Sequence, residues 1–94
     1  MRILGLPLLH DFKQSHADVR GQLDAWQKEV ERESWQTPQD IKSHYRSADF
    51  LAGNRVIFNI KGNAYRLAVQ VRYRNGLVVI EWIGTHAEYS KKKF

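Results

Sequence analysis

The sequence predicts an α+β domain in which N-terminal helices pack on an antiparallel β-sheet. Apolar residues recur at helical spacing in the first half of the chain and alternate with polar residues in the second half. With 94 residues, the chain is long enough for one domain with a single modest core. We therefore expect residues 1–94 to form one domain, with residues 89–94 as a flexible basic tail.

The first half of the chain reads as a short strand followed by two helices. Arg2–Leu4 can form the strand, and Pro7 suits the first turn of a helix, which we expect over residues 6–16. The second helix is predicted over residues 17–34, where an apolar stripe recurs at steps of three and four residues. The stripe consists of Val19, Leu23, Trp26 and Val30. We expect it to face the core.

A third, short helix is predicted at Thr37-Pro38. Threonine can cap a helix, and proline fits the first helical position. The helix should run to about Tyr45, with Ile41 and Tyr45 facing inward. The polar and glycine-containing stretch 46–54 is expected to be a loop.

The second half of the chain predicts a three-stranded meander. Residues 56–60 and 77–83 are rich in β-forming residues, and residues 65–74 alternate between apolar and polar side chains. Lys61-Gly62-Asn63 is expected to turn the chain, and Asn75-Gly76 favours a type I′ hairpin.

Alternation in the middle strand predicts two different faces of the sheet. If Tyr65, Leu67 and Val69 face the helices, Arg66 faces away from them. The same outer face is expected to carry a set of polar residues from all three strands: Asn59, Lys61, Gln70, Arg72, Glu81 and Thr85. This predicts an open polar surface with His86 at its rim. The alternative is a solvated face on which Arg66 pairs with Glu81.

The basic charge lies in one part of the chain. Residues 1–53 carry 7 basic and 8 acidic residues, whereas residues 54–94 carry 8 and 2. This asymmetry favours a polyanionic partner for the second half. A solubilising basic surface is the alternative.

Several classes of protein are disfavoured by composition. The chain has no cysteine, which excludes disulfides and thiolate zinc sites, and its four histidines form no metal motif. We therefore expect neither a metal nor a cofactor. No apolar run approaches the ~20 residues that span a bilayer, and no signal peptide is recognisable. We expect a cytoplasmic protein without membrane contact.

Two blocks resemble HigB toxins of the RelE superfamily. The run Asn54–Leu67 (NRVIFNIKGNAYRL) is similar to that family's "R-hydrophobic-F-N-x-x-G-N-x-Y-R-L" block, and Gly84–Tyr89 (GTHAEY) to its "T-H-x-E-Y" ending. Trp35–Lys42 also fits the family pattern. The resemblance implies a RelE-like fold, ribosome-dependent cleavage of mRNA, and neutralisation by a HigA-type helix-turn-helix antitoxin.

The resemblance also implies site residues. Arg66 matches the arginine of the "Y-R-L" motif, His86 the basic position after the last strand, Tyr89 the following aromatic, and Lys61 the basic residue before the motif. Ser90 stands where family members often carry an acidic residue. RNA contacts are expected from a wider set of residues: Arg55, Asn63, Arg72, Arg74, Lys91, Lys92 and Lys93.

RNA carries its own nucleophile, the 2′-hydroxyl, so such a site needs no metal. Arg66 is expected to stabilise charge, His86 to transfer protons, and Tyr89 to stack on a base. Lys61 should orient the phosphate or, with a lowered pKa, act as the base. Two alternatives stay open: a non-catalytic RNA- or ribosome-binding module, and a structural partner subunit.

Overall fold

Helices form one layer of the protein and a five-stranded sheet forms the other. The computed structural model describes all residues from Met1 to Phe94. The helices are α1 (Leu6–Ser15), α2 (Arg20–Arg32), α3 (Pro38–His44) and α4 (His86–Ser90), with a 3-10 turn at Ala17–Val19. The strands are β1 (Arg2–Leu4), β2 (Asp49–Leu51), β3 (Arg55–Ile60), β4 (Tyr65–Arg72) and β5 (Leu77–Thr85).

The sheet has the strand order β1-β5-β4-β3-β2. Strands β3 to β5 form the predicted antiparallel meander, with Arg66 opposite Asn59 on one side and Gly84 on the other. The prediction of a wholly antiparallel sheet is wrong, because β1 pairs with β5 in parallel. The fold class α+β is confirmed, and the sheet has more strands than the meander alone.

The predicted loop 46–54 contains the additional strand. Strand β2 pairs with β3, placing Asp49 opposite Ile57 and Leu51 opposite Arg55. All three of its residues are exposed, so no alternation of buried and exposed residues marks it in the sequence. Pairing with a neighbouring strand defines it.

The apolar stripe of the second predicted helix lies in the core, as expected. Val19, Leu23 and Val30 are fully buried and Trp26 is 2% exposed. They pack on the inner face of the sheet, where Phe58, Leu67 and Val69 are at most 1% exposed. The helix is shorter than predicted, because residues 17–19 form a 3-10 turn and α2 ends at Arg32.

The start of α3 follows the prediction closely. The hydroxyl of Thr37 accepts a hydrogen bond from the backbone N–H of Asp40, and the carboxylate of Asp40 accepts one from the N–H of Thr37. This capping box satisfies two otherwise unpaired donors of the helix terminus. Ile41 is fully buried and Tyr45 packs against the core, both as expected.

The connection between β4 and β5 differs from the predicted type I′ turn. A type I′ turn requires positive φ at both central residues, whereas only Gly76, at φ 67°, has it and Asn75 does not. The last strand pair is Arg72 opposite Leu77, so four residues form the loop. Partial packing of Tyr73 on the core accompanies this longer connection.

A β-bulge in β5 changes which residues share a face. Ala68 lies opposite Trp82 and Val69 opposite Ile80, which leaves Glu81 as an extra residue. Because one residue is inserted, Thr85 lies opposite the inward-facing Tyr65. The expectation that Thr85 and Glu81 share the outer face is therefore wrong.

Candidate functional site

Arg66 is the buried cation of the outer face. Its side chain leaves the central strand β4, and the residue is only 8% exposed. The guanidinium Nη1 donates to the backbone carbonyls of Asn63, at 3.1 Å, and Tyr65, at 3.3 Å. It makes no salt bridge. Carbonyl groups therefore orient the guanidinium, and no carboxylate neutralises its charge.

The alternative pairing of Arg66 with Glu81 is absent. Glu81 instead accepts from Arg55, with Nε and Oε1 2.6 Å apart. The pKa of the Arg55 guanidinium is raised by this hydrogen bond. Of the two arginines, Arg66 is the one whose charge is left for an external anion.

His86 is brought to the same end of the sheet by the end of β5. Strand β5 ends at Thr85, whose hydroxyl caps α4, and His86 is the first residue of that helix. The backbone N–H of His86 donates to the carbonyl of Ala64 at 3.0 Å. The turn before β4 and the start of α4 are thus tied together. His86 is exposed, and its backbone lies beside the turn whose Asn63 carbonyl accepts from Arg66.

A second capping box fixes the start of α4. The carboxylate of Glu88 accepts from the N–H of Thr85 at 2.7 Å, and the N–H of Glu88 donates to the Thr85 hydroxyl at 3.1 Å. The hydrogen bond from the N–H of Thr85 holds the pKa of the Glu88 carboxyl below its ordinary value. The backbone position of His86 is set by this cap.

Lys61 does not lie on the outer face as predicted. Its backbone is left-handed, at φ 53°, which turns the side chain toward the helix layer. There Nζ donates to Oδ2 of Asp18 at 2.9 Å. The left-handed residues of this turn are Lys61 and Gly62, and Asn63 is not among them.

Asp18 joins Lys61 and Tyr65 at this edge of the sheet. Its carboxylate also accepts from the hydroxyl of Tyr65, at 2.9 and 3.1 Å. The hydrogen bond to Asp18 raises the pKa of Lys61, and the hydrogen bonds from Lys61 and Tyr65 lower the pKa of Asp18. Lys61 is therefore held as a cation, which is the reverse of what a general base requires.

Aromatic rings cover part of the outer face, where an open polar surface was expected. The ring centroid of Tyr89 lies 6.0 Å from the guanidinium of Arg66, and Tyr89 contacts Trp82 and Phe94. Ile57 and Ala68 on this face are fully buried, although they lie outside the main core cluster. Sequence reasoning missed Trp82 and Phe94. The available signal was a tryptophan with small neighbours, because Ala68 lies opposite Trp82 and Gly84 follows it by two residues.

The remaining predicted RNA-contacting residues are spread over a larger area. Arg72 is six residues along β4 from Arg66, or roughly 20 Å at the rise of a strand, and Arg74 lies in the loop beyond it. Lys91, Lys92 and Lys93 are exposed after α4, and Tyr89 belongs to α4 itself. The structure thus brings together Arg66, His86, Asn63 and Tyr89, and not Arg72 or Arg74.

No group of three or more His, Asp or Glu side chains is placed to hold a metal ion. No helix combines the length and the apolar character needed to cross a membrane. The site combines a buried, oriented guanidinium with an exposed histidine whose backbone lies at the neighbouring turn. A guanidinium can bind a phosphate, and an imidazole within reach of it can transfer a proton.

Comparison with known families finds a match. The model of the HigB toxin family, described as the RelE-like toxic component of a toxin–antitoxin system, matches residues 19–92. The match includes β2 to β5 and α2 to α4, and with them Arg66 and His86. No curated protein matches the chain in sequence. Since the family model matches most of its length, the chain belongs to the HigB family of RelE-like toxins.

Proposed function

We propose that the toxin is a ribosome-dependent endoribonuclease that cleaves mRNA and thereby inhibits translation. The observation that carries this proposal is the position of Arg66, a guanidinium 8% exposed and without a carboxylate partner, beside the exposed His86. A buried cation without a counter-ion is costly, and an anionic ligand at this position would offset that cost. RNA phosphate is the anion that such a toxin would meet.

The proposed reaction uses the substrate's own 2′-hydroxyl. Its oxygen attacks the adjacent phosphorus while the bond from phosphorus to the 5′-oxygen breaks. The 2′-hydroxyl proton passes to a base, and the 5′-oxygen receives a proton. The products are a 5′-hydroxyl end and a 2′,3′-cyclic phosphate, which water can open to a 3′-phosphate. No metal ion is required for these transfers.

The site residues divide these tasks. Arg66 would stabilise the additional negative charge, because its fixed fork of donors matches two phosphate oxygens. His86 would transfer protons, since imidazole changes charge near neutral pH. Lys61, whose pKa is raised by Asp18, would contribute charge and orientation and not abstract the proton. Tyr89 would stack on a base.

A translating extract tests the proposal. The extract is incubated with the wild-type toxin, with His86→Gln or with His10→Gln, and mRNA ends are mapped by primer extension. His10 is an exposed histidine of α1 and serves as the matched control. We expect discrete breaks with the wild type and His10→Gln, and about 10²- to 10⁴-fold slower cleavage with His86→Gln. Equal cleavage by His86→Gln would contradict the assignment.

The same assay separates the alternative functions. A non-catalytic RNA- or ribosome-binding module would protect mRNA without cutting it, and a structural subunit would neither protect nor cut it. Omitting ribosomes from the reaction tests ribosome dependence, since breaks should then disappear. In growing cells, Arg66→Ala and His86→Gln should relieve growth arrest, provided that thermal melting shows the variants folded.

Membership of the family implies an antitoxin partner. We propose that this partner is a HigA-type helix-turn-helix protein and that the complex forms in the cytoplasm. Arg55, Asn63, Arg72, Arg74 and the three lysines 91–93 are proposed to contact mRNA or ribosomal RNA backbone. Weakening of ribosome binding by added salt would support this assignment.

A further inference from the structure

Three aromatic residues form a continuous patch beside Arg66, which we call the aromatic platform: Trp82, Tyr89 and Phe94. The ring centroids of Trp82 and Tyr89 are 6.1 Å apart, those of Trp82 and Phe94 6.3 Å, and those of Tyr89 and Phe94 6.0 Å. Phe94 is 43% exposed, and Trp82 and Tyr89 are half-buried. The platform therefore presents aromatic surface to solvent.

The residues beneath Trp82 are small enough to let its ring lie close to the sheet. Ala68 is directly opposite Trp82 in β4. A Cβ atom at Gly84 would lie 2.5 and 2.6 Å from ring carbons of Trp82. The ring thus occupies the space above Gly84, whose cross-strand partner is Arg66. This packing places the six-membered ring of Trp82 next to the proposed phosphate site.

Cations surround the platform. The guanidinium of Arg55 lies 4.9 Å from the centroid of Phe94, and that of Arg66 lies 6.0 Å from Tyr89. Nζ of Lys92 lies 5.6 Å from the Trp82 ring and 5.5 Å from Phe94. Aromatic rings interleaved with basic side chains are typical of proteins that hold single-stranded nucleic acid.

We propose that the aromatic platform is a nucleobase-stacking site for single-stranded RNA, next to the phosphate bound by Arg66. This inference rests on the proposed ribonuclease function and adds Trp82 and Phe94 to the groups that position its substrate. A base stacks on the platform while Arg66 and Lys92, neither of which pairs with a carboxylate, neutralise its flanking phosphates. The concentration of basic side chains favours RNA over an apolar protein partner as the occupant.

The three tryptophans provide a direct readout. Trp26 and Trp35 are each 2% exposed in the core, whereas Trp82 is half-buried on the outer face. Titration of the toxin with a 2′-O-methyl RNA octamer, which blocks cleavage at the 2′ position, should therefore quench tryptophan fluorescence through Trp82 alone. With Trp82→Phe, which keeps an aromatic ring, we expect near-normal affinity, measured by anisotropy of a labelled octamer, without the quench.

Removal of the rings should weaken binding. We expect Trp82→Ala to lower affinity for the octamer by roughly 5- to 150-fold, the range for loss of one stacked base. Phe94→Ala should lower it in the same direction. Phe50→Ala is the matched control, because Phe50 is similarly exposed, at 37%, but lies on β2 at the other side of the sheet. Its affinity should equal that of the wild type. Thermal melting identifies any variant that fails to fold. If Trp82→Ala is unfolded, the affinity of Phe94→Ala is compared with that of the wild type.

An abasic strand separates stacking from charge. An octamer with the same phosphates but no bases should bind the wild type more weakly, and Trp82→Ala should weaken it no further. Equal loss on both strands would overturn the proposal, as would a wild type that binds no octamer at low salt. If Trp82→Ala keeps RNA affinity but no longer co-purifies with its antitoxin, the platform is a protein interface and the proposal is wrong.

The outcome is independent of cleavage. Since the octamer lacks a free 2′-hydroxyl, quenching of Trp82 fluorescence by the octamer can be observed even if the translating extract shows no breaks. Stacking without breaks would leave the platform correct and the ribonuclease proposal wrong. Breaks in mRNA without quenching of Trp82 would support the ribonuclease proposal and show that the platform is wrong.

Discussion

Substitution of Gly84 by alanine would test how the outer face is packed. A Cβ atom at this position would lie 2.5 and 2.6 Å from two carbons of the Trp82 ring and 2.9 Å from Oε1 of Glu88. Ordinary carbon–carbon contacts are about 3.5–4.0 Å. The indole ring must therefore retreat by about 1 Å, and the Glu88 carboxylate must also move.

Two costs and one gain determine the size of the effect. Overpacking costs about 1–3 kcal/mol, and here the lower end applies because Trp82 is half-buried and can rotate outward. Displacing the Glu88 carboxylate weakens the cap of α4, worth about 1 kcal/mol. Alanine also stabilises the fold by about 0.4–1 kcal/mol, because it restricts the conformations of the unfolded chain. We expect a net loss of about 1–2 kcal/mol in the free energy of unfolding.

Thermal unfolding followed by circular dichroism measures this loss. For a domain of this size, 1 kcal/mol corresponds to about 4–8 °C, so the melting temperature of Gly84→Ala should fall by about 4–16 °C. Gly21→Ala is the matched control. Gly21 lies in α2 and a Cβ atom there meets nothing within 4 Å. Alanine should therefore raise stability by about 0.5–1 kcal/mol.

The two glycines should thus respond with opposite signs. The tryptophan emission of Gly84→Ala should also shift, because the environment of Trp82 changes, whereas that of Gly21→Ala should not. A Gly84→Ala protein that melts at or above the wild-type temperature would refute the packing described for Trp82.

Further substitutions test the cap, the core and the edge of the sheet. Thr37→Ala removes the capping hydroxyl of α3 and should lower the urea midpoint by the equivalent of about 1 kcal/mol. Leu67→Ala, at a position 0% exposed in β4, should cost about 2–5 kcal/mol in the same experiment. Asp18→Asn should alter the pH dependence of stability. The pKa of Asp18 is lowered from its ordinary 3.8, chiefly by Lys61, so its contribution is present above that value and is lost as pH falls through the folded pKa. Wild type and Asp18→Asn should therefore differ most in urea midpoint well above the ordinary pKa of 3.8 and converge as pH falls through the folded pKa of Asp18. A difference that is constant with pH would show that the ion pair is not its cause.

Local sequence signals predict the helix layer well, because periodicity and capping act over a few residues. The stripe containing Leu23 and Trp26 specifies its buried face directly, and the Thr37–Asp40 pair marks the start of α3. The strands of the meander are predicted for the same reason. Strand β2 is missed because its three exposed residues carry no alternation and depend on pairing with β3.

Errors at the site arise from register and backbone conformation. A single inserted residue at Glu81 moves Thr85 to the inner face, and nothing in the local pattern marks the insertion. The left-handed backbone of Lys61 turns its side chain toward Asp18, 43 residues earlier in the chain. Arg66 is predicted correctly as outward-facing, because no bulge interrupts the pairing of β4 with β3 and side chains alternate regularly along β4. Its burial beneath Tyr89 depends on the position of α4 and could not be derived from β4 alone.

The parallel pairing of β1 with β5 has a consequence for synthesis of the toxin. Arg2 lies opposite Leu77, so about 75 residues must be synthesised after β1 before its partner strand exists. Closing so long a loop is slow and is not rewarded until β5 exists. Strand β5 also delivers His86 to the turn before Arg66. Until β5 has been synthesised, a nascent chain therefore has neither the pairing of β1 with β5 nor the contact that ties His86 to the turn before Arg66.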